Sequence, residues 1–139
     1  MNPDLLRPGT IPTYPYLWLR EQKEGETEGR KERPVCMVIA LKTGSGTTHL
    51  MLLAISSKPP IREQDAIEIP EIERRRGGLS EAGTSWIVIS EYNYDVAEQS
   101  FYLRPDQAPL GRFSRSFVAL LAARLAPLLK SRTGRVGRL

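Results

Sequence analysis

Cysteine and histidine are scarce in this sequence, with one residue of each type among 139. Cys36 lies inside an apolar segment and has no partner for an internal disulfide. A single histidine, His49, excludes catalysis by a pair of histidines, and its position at the exit of a predicted hairpin favours a surface role. No cysteine and histidine residues have the spacing of metal ligands, and no nucleotide-binding glycine motif is present. The sequence therefore predicts no metal site and no cofactor.

Long apolar runs are also missing. No segment approaches the about 20 consecutive apolar residues that a membrane helix needs. The N-terminus lacks the basic-then-apolar pattern of a signal peptide, because Pro3, Asp4, Pro8 and Pro12 interrupt it. Apolar residues make up 40% of the chain and charged residues 26%, which is close to ordinary globular composition. We expect a cytoplasmic protein that does not contact a membrane.

Charge is distributed unevenly along the chain. Residues 1–102 contain 12 lysines and arginines against 15 acidic residues, whereas residues 103–139 contain 8 basic residues against Asp106. A basic C-terminal region beside a nearly neutral body suggests a polyanion or an acidic protein as partner. The alternative is a solvated helix followed by a frayed tail.

Short apolar runs between turn residues are typical of a β protein. Residues 35–41 and 50–55 form nearly continuous apolar runs, as expected of strands covered on both faces. Residues 43–46 between them have the composition of a hairpin turn. Further strands are predicted at residues 9–19, 66–69, 86–89, 101–103 and 110–113.

Near its end the chain has a helical pattern. Ser114 can cap a helix, and Pro127 should bend or end it near its last turn. The apolar face of this helix consists of Phe117, Leu120, Leu121, Leu125 and Leu128. Residues 131–139 are expected to form a basic, disordered tail. We predict one domain over residues 1–130, mainly β, built as a small barrel of five to seven short strands with a C-terminal α-helix.

The order of these segments resembles the PemK/MazF family of ribosome-independent endoribonuclease toxins. The matching pieces are Gly9-Thr10-Ile11, Arg33-Pro34-Val35, Leu53-Ala54-Ile55-Ser56-Ser57, Trp86-Ile87-Val88-Ile89-Ser90-Glu91 and Gly111-Arg112-Phe113. The resemblance implies an SH3-like barrel, a homodimer, and single-stranded RNA lying across the dimer groove. It also implies cleavage by attack of the ribose 2′-hydroxyl and inhibition by a small antitoxin protein.

Arg33 is the first candidate catalytic residue. In the family that the chain resembles, the arginine of the Arg-Pro motif faces the scissile phosphate. A planar guanidinium can hold two phosphate oxygens and stabilise the charge that builds up in the transition state. Arginine rarely releases a proton, so we expect an electrostatic role. The alternative is that Arg33 caps the sheet by pairing with Glu32 or Glu28.

Ser56 and Glu91 complete the candidate catalytic set. Ser56 stands where many members of the family have threonine, and its hydroxyl can bond a phosphate oxygen or the attacking 2′-oxygen; the alternative is a strand-end hydroxyl that bonds the backbone. Glu91 stands at a position that is acidic in several members, where it can accept the 2′-hydroxyl proton. Ile89 replaces an arginine that some members carry, which leaves Arg33 and Ser56 as the principal pair.

Further residues are predicted to bind RNA. They are Arg30, Lys31, Ser57, Arg74, Arg75, Tyr92 and Asn93. Arg30 and Lys31 lie in the loop that the resemblance places against the substrate, although this loop is rich in glutamate. Arg74 and Arg75 can add phosphate contacts, with a solvated turn as the alternative. Tyr92 can stack on a base, with a half-buried core position as the alternative.

Two functions of different class follow. The first is a toxin-like endoribonuclease of a toxin–antitoxin system that cleaves single-stranded RNA without a metal. The second is a non-catalytic SH3-like module that binds RNA or a protein, which Ile89 and the acidic loop favour. A toxin-fold protein that acts on another protein, such as DNA gyrase, is a third possibility that no residue supports independently.

Overall fold

The computed structural model describes residues 1–29, 31–80 and 83–139. Its strands are β1 (Thr13–Tyr14), β2 (Arg33–Lys42), β3 (Thr48–Ser56), β4 (Ala66–Glu68), β5 (Trp86–Val88), β6 (Tyr92–Val96) and β7 (Arg135–Gly137). Its helices are α1 (Leu19–Lys23), α2 (Glu71–Arg76) and α3 (Arg115–Ser131), with short 3-10 turns at Pro3–Leu6 and Ala97–Gln99. The fold is mainly β, a curled half-barrel sheet with one long C-terminal helix. Within these ranges, no helix has the length and apolar character needed to span a bilayer.

Strand β3 organises the sheet. It pairs antiparallel with β2 over most of its length, with β6 through residues 49–52, and with β5 through its last two residues. The β2–β3 hairpin closes through the predicted turn, where the Thr43 N–H donates to the Thr47 carbonyl at 2.9 Å. A strand with three partners cannot stay within one flat sheet, so the sheet divides near the end of β3 and curls.

The two faces of β2 pack against different apolar clusters. Cys36 and Val38 belong to the cluster that includes the buried face of α3. Val35 and Met37 belong to the cluster built on Tyr14, Tyr16, Trp18, Leu103 and other residues outside α3. This alternation follows from the two-residue period of a strand, so residues two positions apart share a face. A register shift between Met37 and Ile39 ends the strict alternation.

Helix α3 begins at the predicted cap. The Ser114 hydroxyl accepts a hydrogen bond from the Phe117 N–H at 3.3 Å, and Phe117, Leu121 and Leu125 are buried. Buried Glu73 in α2 holds this cap, because its carboxylate accepts from the Ser114 N–H at 2.8 Å and the Ser114 hydroxyl at 2.6 Å. The helix includes Pro127 and ends four residues later, at Ser131.

Two predictions about the second half of the chain were wrong. Residues 101–103 and 110–113 form bends and one isolated bridge, Thr10↔Arg112, in place of closing strands. The neighbouring prolines Pro105 and Pro109 cannot donate ladder hydrogen bonds, which explains this outcome. The expected disordered tail instead contains β7, which pairs parallel with β6.

Candidate functional site

A groove of about 440 Å³ lies where β2 begins and β3 ends. We name it the Arg33 groove. Its lining combines three cations from residues 20–33 with Lys58, hydroxyls at the end of β3, and apolar side chains from residues 55–79. The lining includes Arg20, Lys31, Arg33, Ser56, Ser57, Lys58, Pro59, Ile61, Gln64 and Leu79. The groove therefore offers positive charge, hydroxyl donors and an apolar surface within one concave site, which suits a nucleotide.

Strand register brings Arg33 and Ser56 together. In the part of the hairpin nearest the groove, Val35 stands opposite Ala54 and Met37 opposite Leu52. Continuing this register by two residues sets Arg33 opposite Ser56, on the same face of the sheet. Both residues line the Arg33 groove.

The guanidinium of Arg33 is half-buried against Trp18. Its central carbon lies 5.1 Å from the centroid of the Trp18 ring, a cation–π distance. Burial lowers the pKa of Arg33, the nearby Glu21 carboxylate opposes this shift, and the Arg20 charge adds to it. The predicted alternative, an ion pair with Glu32 or Glu28, is not formed among the described residues, and Glu32 instead pairs with Arg104 at 3.3 Å.

The Arg33 Nε atom is buried and has no hydrogen-bond partner among the described residues. A buried donor without an acceptor is costly, so this atom adds to the cost of enclosing the Arg33 guanidinium.

A second cation, Arg20, packs against the Trp18 ring. The Arg20 guanidinium carbon lies 4.9 Å from the ring centroid, and the Tyr16 ring packs edge-on at 5.0 Å. Trp18 precedes α1, and its N–H donates to the Glu21 carboxylate at 3.1 Å. One aromatic ring thus positions two guanidinium groups at the edge of the groove.

Ser56 presents its hydroxyl at the end of β3. Its oxygen accepts a hydrogen bond from the Lys58 N–H at 3.0 Å. Because the serine oxygen acts here as an acceptor, its own proton remains available to donate to a phosphate oxygen. Ser57 is exposed and lines the same groove, as does exposed Lys31.

Glu91 lies away from the groove lining. It is buried, and its carboxylate accepts from the Leu19 N–H at 2.7 Å and from the Tyr16 hydroxyl at 3.3 Å. Burial raises the pKa of Glu91, while the hydrogen bonds from Leu19, Tyr16 and Gln64 oppose the rise. The predicted proton transfer by Glu91 needs correction, because this carboxylate is buried and accepts hydrogen bonds from the start of α1 and from Tyr16.

The predicted RNA contacts of Tyr92 and Asn93 also need correction, because both side chains are buried. Asn93 is fully enclosed: its amide oxygen accepts from the Leu17 N–H at 2.9 Å and from Arg138 at 3.1 Å, and its amide nitrogen donates to the Leu17 carbonyl at 2.7 Å. Tyr92 packs into the cluster beside α3. Neither side chain presents a surface to a base.

Two of the remaining predicted cations, Arg74 and Arg75, lie outside the groove. Arg75 forms an exposed ion pair with Glu71 at 2.8 Å, and Arg74 donates to the Gly83 carbonyl. Neither lines the Arg33 groove. Arg30 lies outside the described residues.

His49 occupies the opposite end of β3 from Ser56. Its Nδ1 atom is hydrogen-bonded to the Tyr94 hydroxyl, and its Nε2 atom lies 3.2 Å from the Thr47 hydroxyl. His49 is half-buried and does not line the groove; its side chain instead contacts β6, the strand that pairs with this part of β3.

Several groove residues were not singled out from the sequence. Trp18, Arg20, Lys58, Pro59, Ile61 and Leu79 are among them. The sequence does contain one signal: Tyr14, Tyr16 and Trp18 recur every second residue before Arg20, which indicates an aromatic stripe on one face of an extended segment. The apolar groove residues Pro59, Ile61 and Leu79 show no comparable periodic pattern in the sequence, because they lie in loops.

Within the described part of the chain, no group of three or more histidine, cysteine, aspartate or glutamate side chains could hold a metal ion. No family model, no curated protein and no solved structure matches this chain.

Proposed function

We propose that this chain is a PemK/MazF-like protein with an SH3-like barrel, which cleaves single-stranded RNA without a metal as part of a toxin–antitoxin system. The observation that supports it is the convergence of Arg33 and Ser56 on one groove. A guanidinium beside a hydroxyl, on neighbouring strands, is suited to hold the oxygens of one phosphodiester.

In the proposed reaction the ribose 2′-oxygen attacks the adjacent phosphorus. The P–O5′ bond breaks, giving a 2′,3′-cyclic phosphate and a 5′-hydroxyl. Arg33 donates to the non-bridging oxygens, where negative charge accumulates, and its half-buried position strengthens this interaction. Ser56 donates its hydroxyl proton to the same phosphate. Because Glu91 is enclosed, the 2′-hydroxyl proton passes to water in the open groove and solvent protonates the leaving oxygen.

The proposed partners are single-stranded RNA, a second copy of the chain and an antitoxin protein. The C-terminal region, with 8 basic residues against Asp106, suits an acidic antitoxin or RNA. A half-barrel has strand edges that a second copy can cover, which supports a homodimer.

An RNA-cleavage assay in EDTA tests the proposal. The purified protein is expected to cut single-stranded RNA and leave 2′,3′-cyclic phosphate ends. Arg33→Ala should lower kcat/KM by at least about 100-fold, the usual cost of losing one donor to a transition-state oxyanion. Arg124→Ala, which removes an exposed arginine of α3, is the matched control and should retain activity. Intact RNA with the folded wild-type protein would contradict the nuclease.

A non-catalytic RNA-binding module is the second candidate. The enclosed position of Glu91 favours this second candidate, because it leaves no free carboxylate, among the described residues that line the groove, to accept the 2′-hydroxyl proton. The carboxylate that lines the groove belongs to Glu32, and it pairs with Arg104. This alternative predicts RNA binding that depends on Arg33 and no cleavage at any RNA concentration.

A further inference from the structure

A smaller cavity of about 180 Å³ adjoins the Arg33 groove. We name it the Trp18 cavity. It shares Trp18, Arg20, Lys31 and Arg33 with the groove, and adds Tyr16 and Glu21. Its volume is several times the about 30 Å³ that one water molecule occupies in the liquid, so a phosphate group fits with room for water.

Charge in the Trp18 cavity is unbalanced. Arg20, Lys31 and Arg33 contribute three positive charges against the single carboxylate of Glu21. Glu21 already accepts a hydrogen bond from the Trp18 N–H at 3.1 Å. The ion pairs Arg7–Asp4, Arg75–Glu71 and Arg104–Glu32 do not involve the three cations of this cavity.

The arrangement is held in place before any ligand binds. The Trp18 ring positions the guanidinium groups of Arg20 and Arg33, at 4.9 Å and 5.1 Å from its centroid. Two guanidinium groups beside one ring repel each other, and the Arg20 charge contributes to the lowered pKa of Arg33. A bound anion relieves this repulsion.

We propose that the Trp18 cavity binds the terminal phosphate of an RNA strand whose adjoining nucleotide occupies the Arg33 groove. A terminal phosphate monoester carries nearly two negative charges at neutral pH, whereas an internal diester carries one. The net charge of the cavity, three cations less one carboxylate, matches the monoester. This inference rests on the proposed RNA binding at Arg33, because Arg33 borders both spaces, and it gives the site a preference for RNA with a phosphorylated end.

Binding of non-cleavable RNA tests the inference. Three 2′-O-methyl oligoribonucleotides of one sequence, carrying a 5′-phosphate, a 3′-phosphate or no terminal phosphate, are titrated against the full chain in EDTA. One phosphorylated form should bind about tenfold more tightly than the unphosphorylated form, the effect of one or two added charge-assisted hydrogen bonds. The end that gains affinity identifies the direction of the strand.

Two variants and a control assign the effect to the cavity. Arg20→Ala and Lys31→Ala should each bring the phosphorylated affinity close to that of the unphosphorylated RNA. Lys23→Ala removes a cation from the same helix as Arg20 but outside the cavity, and should keep the tenfold preference. Equal affinity for the three RNAs in the wild type, or a preference that survives both cavity variants, overturns the inference.

Cleavage of unphosphorylated RNA separates this inference from the proposed function. Cleavage with equal affinities for the three RNAs rejects the terminal-phosphate site and leaves the nuclease. A terminal-phosphate preference without cleavage supports the Trp18 cavity and rejects the nuclease. Absence of binding to all three, together with intact unphosphorylated RNA, rejects both.

Discussion

Glu91 shows how burial decides the role of a single carboxylate. Its oxygen accepts from the Leu19 N–H and the Tyr16 hydroxyl, so it is bonded to the start of α1 and to an aromatic residue of the segment that precedes this helix. Burial raises the pKa of Glu91, and it also raises that of Tyr16 well above its ordinary value. Tyr16 therefore stays protonated at neutral pH and remains the donor in this pair.

The stability of the protein should fall with rising pH through the titration of Glu91. The folded-state pKa of this carboxyl is raised above its ordinary value of 4.5, so the folded state holds the proton more tightly than the unfolded state. Its contribution is fully present below the ordinary pKa and is lost as pH rises through the folded pKa. Glu91→Gln cannot ionise, so urea unfolding from pH 4 upward should show its stability rising relative to wild type. A constant difference across that range would contradict this.

Glu91→Ala should destabilise the fold by about 1–3 kcal/mol at neutral pH, because the buried Leu19 N–H and Tyr16 hydroxyl lose their acceptor. Urea denaturation measures the change. Glu24→Ala, at an exposed glutamate just after α1, is the control and should lie within about 0.5 kcal/mol of wild type.

At the scale of single residues, the sequence predicts that Arg33 and Ser56 lie close together but does not predict the buried position of Glu91. Arg33 and Ser56 occupy the ends of two apolar runs joined by a recognisable turn, so their proximity follows from a local hairpin. Whether Glu91 faces the groove or the interior depends on Leu19 and Tyr16, which lie more than seventy residues away in the chain. No local pattern in the sequence encodes that contact.

At the scale of elements, α3 depends on a cap that comes from another helix. Ser114→Ala removes the hydroxyl that accepts from the Phe117 N–H and donates to Glu73. We expect a loss of about 1–2 kcal/mol in the free energy of unfolding, measured by urea denaturation. Ser57→Ala, at an exposed serine outside any helix, is the matched control and should leave stability nearly unchanged. Equal stability of the two variants would show that Glu73 caps the helix without Ser114.

Strand β7 gives a second prediction about an element. Val136 is fully buried opposite Asn93, and Arg138 donates to the Pro15 carbonyl at 2.6 Å. Val136→Asp should destabilise the protein by about 3 kcal/mol or more, because it buries an unpaired charge. Leu139→Asp is the control, since that side chain is 70% exposed. If both variants unfold at the wild-type urea concentration, β7 does not contribute to the fold in solution.

The contrast between α3 and β7 shows why elements differ in how well a sequence predicts them. Helix α3 has a cap and a repeated apolar face within its own segment, and both features are local. Strand β7 has one apolar residue among glycines and arginines, and its pairing with β6 joins segments about forty residues apart. A composition typical of a flexible tail therefore hides a strand that is stabilised by distant partners.

At the scale of the whole molecule, two basic regions compete as the RNA-binding surface. The Arg33 groove gathers four cations, Arg20, Lys31, Arg33 and Lys58, whereas residues 103–139 contain 8 basic residues. Some of the latter are already engaged: Arg138 is buried, and Arg135 lies 3.6 Å over the Tyr94 ring. Fewer than 8 basic side chains of the C-terminal region are therefore free to contact RNA, so the charge count alone overestimates its capacity to bind RNA.

The salt dependence of RNA affinity separates the two regions. Each phosphate contact to a single strand contributes about −0.7 to the slope of log K against log salt concentration, so the four groove cations predict a slope of about −3. Arg33→Ala should make the slope shallower by about 0.7, and Arg124→Ala should leave it unchanged. Fluorescence polarisation with 2′-O-methyl RNA between 50 and 300 mM salt, roughly, measures both effects within a practical range. A slope steeper than about −4 that Arg124→Ala reduces would instead place RNA on α3. In that case the groove would serve a different anion, because its cations would contribute little to the affinity for the strand.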